Sequence, residues 1–120
     1  MRFSVGIDLV HVSRIAASVE AFGERFLRRV YTDAEVAYAT SSPGLAAERL
    51  AARFAAKEAA KKALRLDGVS WRDLEVRRAD SGACDLVLHG AALASAGACS
   101  TALSMSHDGD CATAVVISYE

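Results

Sequence analysis

The amino-acid sequence predicts an α+β domain in which an antiparallel sheet packs against one long helix. Three observations carry that expectation. The first residues alternate apolar and polar side chains with a period of two. Residues 45–66 contain no glycine or proline and are rich in alanine. Two later pairs of strand-like segments are each joined around turn-forming residues.

In chain order, Phe3, Val5, Ile7 and Leu9 alternate with Ser4, Gly6 and Asp8, a strand with Asp8 near its end on the face opposite the apolar residues. Val12, Ile15, Val19, Phe22 and Phe26 then recur at three- and four-residue steps, the stripe of an amphipathic helix that Gly23 ends or interrupts. Thr32-Asp33-Ala34-Glu35 is a capping box opening a short helix, which stops near Ser41-Ser42-Pro43-Gly44. The long helix follows from Leu45 to Leu66 and is ended by Asp67-Gly68. Leu74–Arg77 and Asp85–Leu88 read as strands joined around Ser81-Gly82, and Ala91–Ala98 as a helix. Thr101–Ser106 and Cys111–Tyr119 are the last strands, flanking a turn at Asp108-Gly109. The order is βαααββαββ.

A chain of 120 residues suits a single domain spanning 1–120. A core this small is limited, so a partner subunit would add to it. The net charge of −1 excludes a surface built wholly for nucleic acid, and no reader motif for nucleic acid is present. Asp8 interrupts the N-terminus before a signal-type apolar run develops, and no stretch approaches the roughly 20 apolar residues of a membrane span. A cytoplasmic protein with no membrane association is expected. Cys84, Cys99 and Cys111 are odd in number and lack metal-type spacing, so they read as free, buried thiols.

Three motifs could carry chemistry. Gly6-Ile7-Asp8-Leu9-Val10, followed by Arg14, places an acid at a strand end, where it is either a solvated polar residue or an oxygen ligand for a hard cation. Arg53-Phe54-Ala55-Ala56-Lys57-Glu58-Ala59, continuing through Lys61 and Lys62, lies on the long helix. There Ala52, Ala56, Ala59 and Ala63 share one side that permits very close packing, while Glu58 projects away with Lys62 one turn on. Glu58 and Lys62 read either as a surface ion pair or as parts of a metal–phosphate site. Ser104-Met105-Ser106-His107 offers hydroxyls, an imidazole and amides suited to phosphate oxygens. As a nucleophile and base, Ser106 and His107 fit poorly, because strand neighbours point to opposite faces.

Together these motifs resemble the holo-acyl-carrier-protein synthases, the short single-domain 4′-phosphopantetheinyl transferases, from Phe3 to about Ile117. Arg29-Val30-Tyr31-Thr32-Asp33-Ala34-Glu35 is similar to the same family between its first helices. One stretch departs from it: Ser81-Gly82-Ala83-Cys84 stands where the family often has Gly-Lys-Pro or Gly-Arg-Pro, so the basic contact made there is not expected of this hairpin.

The resemblance implies that family's fold and its reaction, the transfer of 4′-phosphopantetheine from coenzyme A to a carrier-protein serine with release of 3′,5′-ADP. By the same resemblance Asp8 and Glu58 are magnesium ligands, Asp8, Glu58 and Lys62 are catalytic, and Arg53, Lys57, Lys62, Ser106 and His107 bind the coenzyme. Arg14, Arg25 and Arg28 fall within about 60° of one another if the first helix continues through Gly23. They are expected to dock an acidic acyl carrier protein, the alternative being a solvated face. A non-catalytic module binding coenzyme A or a carrier would keep the basic residues and could drop an acid; retention of both Asp8 and Glu58 favours the enzyme. A homotrimer is implied as well. It agrees with apolar residues at both Ala112/Ala114/Val116 and Val115/Ile117, which give the last strand two faces in need of cover.

Overall fold

The N-terminal alternation forms strand β1, Phe3–His11, laid with its small and polar face toward the helix. In the computed structural model, which describes residues 2–120, Gly6 and Val10 are buried while Phe3, Val5, Ile7 and Leu9 face outward. The helix explains this arrangement. Along α4, Ala46–Leu64, the side chains of Ala52, Ala56, Ala59 and Ala63 are all buried. They let α4 approach so closely that a Cβ on Gly6 would strike the Ala59 carbonyl oxygen and lie 2.8 Å from the Ala63 nitrogen. Larger residues on either surface would hold strand and helix apart. The helix ends before the expected Leu66, with Arg65 taking the left-handed conformation at φ 54°.

Strand β5, Cys111–Tyr119, runs between β1 and β4, Ser100–Asp108, and is antiparallel to both. The register places Asp8, Ala114 and Met105 in one row on the helix side, with Val10, Ala112 and His107 in the next. On the outer face, Ile7 lies beside Val115 and Ser104, and Leu9 beside Thr113 and Ser106. Ser106 and His107 thus do point to opposite faces. His107 lies within β4 rather than at its end, because the turn falls at Gly109-Asp110, one residue later than expected. Strands β2, Leu74–Arg78, and β3, Cys84–Leu88, pair in a separate two-stranded sheet, so the expected antiparallel structure is divided in two.

Between β1 and α4, Gly23 at φ 54° splits the first helix into α1, Val12–Phe22, and α2, Glu24–Val30. The continuous helix on which Arg14, Arg25 and Arg28 would share a face is not formed. The capping box is present: Thr32 Oγ1 accepts from the Glu35 amide at 3.2 Å and Glu35 Oε1 accepts from the Thr32 amide at 2.8 Å, opening α3, Asp33–Thr40. A 3-10 turn at Pro43–Leu45 leads into α4, another at Trp71–Asp73 leads into β2, and α5 spans Gly90–Ala96. All three cysteines are free, and they are half-buried rather than buried. Among the described residues no helix is long and apolar enough to cross a membrane.

Candidate active site

Strand β1 and helix α4 run antiparallel, which sets the first cluster. Ser118, the partner of Ser4, donates to the Ala63 carbonyl at 3.2 Å, while Gly6 lies against Ala59. Asp8 lies two strand residues beyond Gly6, and Glu58 directly precedes the Ala59 against which Gly6 packs, so both acids belong to the same stretch of the β1–α4 interface. Lys62, one turn beyond Glu58, donates from Nζ to the Ile7 carbonyl at 2.8 Å and lies 3.3 Å from Asp8 Oδ1. Glu58 is half-buried and has no ion-pair partner among the described residues. The donors here, two carboxylates and a carbonyl, are all oxygen, the set a hard divalent cation takes. A cation already stands among them, the Lys62 ammonium, so the residues fit such an ion.

A second cluster lies on the other flank of α4, since Arg53 is about 140° around the helix from Glu58. Arg49 and Arg53 lie over the Tyr38 ring at 4.2 and 4.5 Å, and Arg78 of β2 comes to 5.4 Å. They line a cavity of about 520 Å³ with Glu48, Met105, Ser106 and His107. Arg49 spends its guanidinium on the Tyr38 carbonyl at 2.9 Å and Ser41 Oγ at 3.1 Å. Arg53 gives one bond to the Arg49 carbonyl, leaving its buried Nε without a partner. Burial holds the Arg53 pKa below its ordinary value. Three guanidiniums around one cavity, faced by Glu48 (3.9 Å from His107 Nδ1), make a site for an anion.

Lys57 belongs to neither cluster, which corrects its assignment to coenzyme binding. It is fully buried, and its ammonium donates to Glu35 Oε1 at 2.7 Å, the Leu74 carbonyl at 2.7 Å and the Trp71 carbonyl at 3.0 Å. All three ammonium donors are used, so none remains for a phosphate. Burial pulls its pKa down and Glu35 opposes that shift.

A family model described as the 4′-phosphopantetheinyl transferase superfamily matches residues 4–116. The chain belongs to that superfamily. Within it the chain is similar to the holo-[acyl-carrier-protein] synthase of Koribacter versatilis, at 48% identity over 123 residues and 98% of each chain. Its fold is similar to that of the Chronobacterium ammoniagenes ACPS–CoA complex, with a TM-score of 0.90 and 33% identity over 99% of this chain and 98% of that one. The Helicobacter pylori holo-[acyl-carrier-protein] synthase solved with coenzyme A gives a TM-score of 0.85 at 29% identity, covering 96% and 99%.

This phosphopantetheinyl transferase has a third surface, beside Glu58. Phe54, one turn before Glu58, stacks on Trp71 with ring centroids 5.1 Å apart. With Phe22, Phe26, Arg25 and Arg29 they line an apolar cleft of about 540 Å³. Arg14 and Arg25 are exposed, and Arg28 turns to Glu24 at 3.3 Å. Arg29 joins Arg25 on the cleft. Sequence reading missed Arg29, and it also missed Arg49, Arg78 and Tyr38. The i, i+4 spacing of Arg49 and Arg53, and of Phe22 and Phe26, was the signal that could have found them.

Proposed function

We propose that the enzyme moves 4′-phosphopantetheine from coenzyme A to a serine of an apo acyl carrier protein, with magnesium as its cofactor, and releases 3′,5′-ADP. The carrying observation is Lys62 held on the Ile7 carbonyl and Asp8 Oδ1, with the half-buried Glu58 one turn before Lys62 on α4. The complexes of the Chronobacterium and Helicobacter relatives with coenzyme A support the choice of substrate.

In the reaction the serine oxygen forms a bond to the β-phosphorus and gives up its proton to water, and the bond from that phosphorus to the bridging oxygen breaks, with 3′,5′-ADP leaving. Asp8 and Glu58 hold the magnesium, which when bound neutralises charge on the pyrophosphate. Lys62 supplies a second positive charge at the reacting phosphate. Arg53, with its free Nε, takes the nucleotide's terminal phosphate together with Arg49, Arg78, Ser106 and His107. The exposed arginines of α1 and α2 receive an acidic carrier helix, and the Phe22/Phe26/Phe54/Trp71 cleft receives its apolar side chains.

The two clusters lie on opposite flanks of α4, so one coenzyme reaches both most simply by lying between two subunits. The outer face of the sheet supplies the contact: Phe3, Val5, Ile7 and Leu9 are 61–69% exposed, and Ile117 continues their patch between Val5 and Ala102. Closure of three copies around an axis covers that patch and brings one subunit's Asp8 and Glu58 to its neighbour's Arg53, in a cytoplasmic homotrimer.

The test is a mass measurement on a purified apo-carrier protein incubated with the enzyme and coenzyme A. Mass gain by one phosphopantetheine with magnesium, and none in excess EDTA or with Asp8→Ala, is expected. Full conversion in EDTA overturns the metal assignment, and no conversion under any condition overturns the activity.

A further inference from the structure

Lys62 makes two contacts of different character. Its ammonium donates to the Ile7 carbonyl at 2.8 Å, a bond that fixes the end of the side chain, and from there it reaches Asp8 Oδ1 at 3.3 Å. Asp8 is the less exposed partner, its side chain 19% accessible against 54% for Lys62. The lysine head is open to solvent, while the carboxylate it covers is mostly shielded. We propose that Lys62 and the divalent cation compete for the same oxygens of Asp8 and Ile7, so that loading the site releases Lys62 toward the substrate's phosphate. The inference rests on the cation reading given above.

The physical ground is that one carboxylate oxygen cannot keep a close ammonium and a directly bound divalent ion on the same side, since two cations at such separation repel. Lys62 thereby has two positions with two uses. Against Asp8 it neutralises a carboxylate that is largely shielded from solvent. Displaced, it pivots about the α4 backbone with its charge free for a phosphate oxygen one side-chain length away. Coupling is reciprocal, so whatever factor Lys62 takes from cation affinity is the factor by which the cation frees Lys62. Lys61 supplies a control within the same helix turn. Its ammonium lies 3.4 Å over the Trp71 ring, away from Asp8, and it carries the same charge.

The test titrates the whole protein with Mn2+, a spectroscopic stand-in for Mg2+, without coenzyme A, and reads free Mn2+ by electron paramagnetic resonance. Lys62→Met is expected to tighten Mn2+ binding about two- to fivefold, the range of a partly exposed ion pair, and Lys61→Met to change it less than about twofold. In the parent protein, acylation of Lys62 by a lysine-directed reagent should accelerate when Mg2+ is added, with Lys61 unaffected. Equal tightening by both variants shows general charge repulsion and overturns the competition, as does a Lys62 acylation rate indifferent to Mg2+. Binding that Lys62→Met fails to tighten overturns this inference alone. Failure of the parent to bind Mn2+ overturns the cation reading and this inference with it.

Discussion

Lys57 and Arg53 sit one turn apart on the same flank of α4, and the partners around each decide what it does. Lys57→Met strips Glu35 of its counter-charge inside the core, a change expected to cost about 3–5 kcal/mol. Its urea midpoint should fall, while the coenzyme A affinity of the folded fraction stays at the parent value. Arg53→Ala should do the reverse and weaken coenzyme A in a binding titration, because Arg53 has a donor to spare. From sequence the two were inseparable, since both are cations in one motif, and only the fate of each donor distinguishes them. Glu75 adds a pH dependence. Burial alone would raise its pKa, but hydrogen bonds from His89, Thr32 and Arg77 outweigh that and hold it below its ordinary value. A depressed carboxylate stabilises the fold above its unfolded pKa, and that contribution is lost as pH falls through the folded value. Denaturation followed from about pH 5 to about pH 3 should therefore show Glu75→Gln less stable than the parent at the start and losing less across the window.

At the scale of elements, the strand-on-helix packing was legible, and so was Gly23 as the place where the first helix ends or breaks, but not the second helix that follows it. Gly6 and the alanines of α4 are small in sequence for the reason they are close in space, and Gly6→Val should separate β1 from α4. About 3 kcal/mol or more of stability is expected to go, read as a drop in melting temperature, and the ion pair between Asp8 and Lys62 should open with it. The two helices of the proposed docking surface depend on Gly23, whose positive φ is a backbone fact that apolar periodicity does not report. Periodicity ran on through residue 23 because Phe22 and Phe26 both face the same cleft. The double reversal Arg14→Glu with Arg25→Glu should raise the apparent KM for the carrier protein at low salt and leave coenzyme A affinity unchanged, since exposed charges act through association over about 8–10 Å. An unchanged KM would mean that this face is only solvated.

For the whole molecule, β1 carries its large apolar residues on the side away from its own helix, which a monomer has no use for. The alternation itself was plain in the sequence. Which face met the helix was not, because period two marks two faces without saying which is covered. Val115 lies on the outer face and Val116 is fully buried on the inner one, so Val115→Glu places its charge at the proposed contact between subunits. Light scattering should show that variant smaller than the parent, with activity falling in step. The most direct measurement pairs two defects. Arg53→Ala and Glu58→Gln chains are each expected to be inactive alone, one lacking the phosphate grip and the other a metal ligand. Co-expressed in equal amounts and assembled at random, cyclic trimers would hold about a quarter of their boundaries with an intact carboxylate pair facing an intact arginine pocket. Transfer activity near a quarter of the parent's is the expected result, and mixed assemblies no more active than either variant alone would contradict a site shared between subunits.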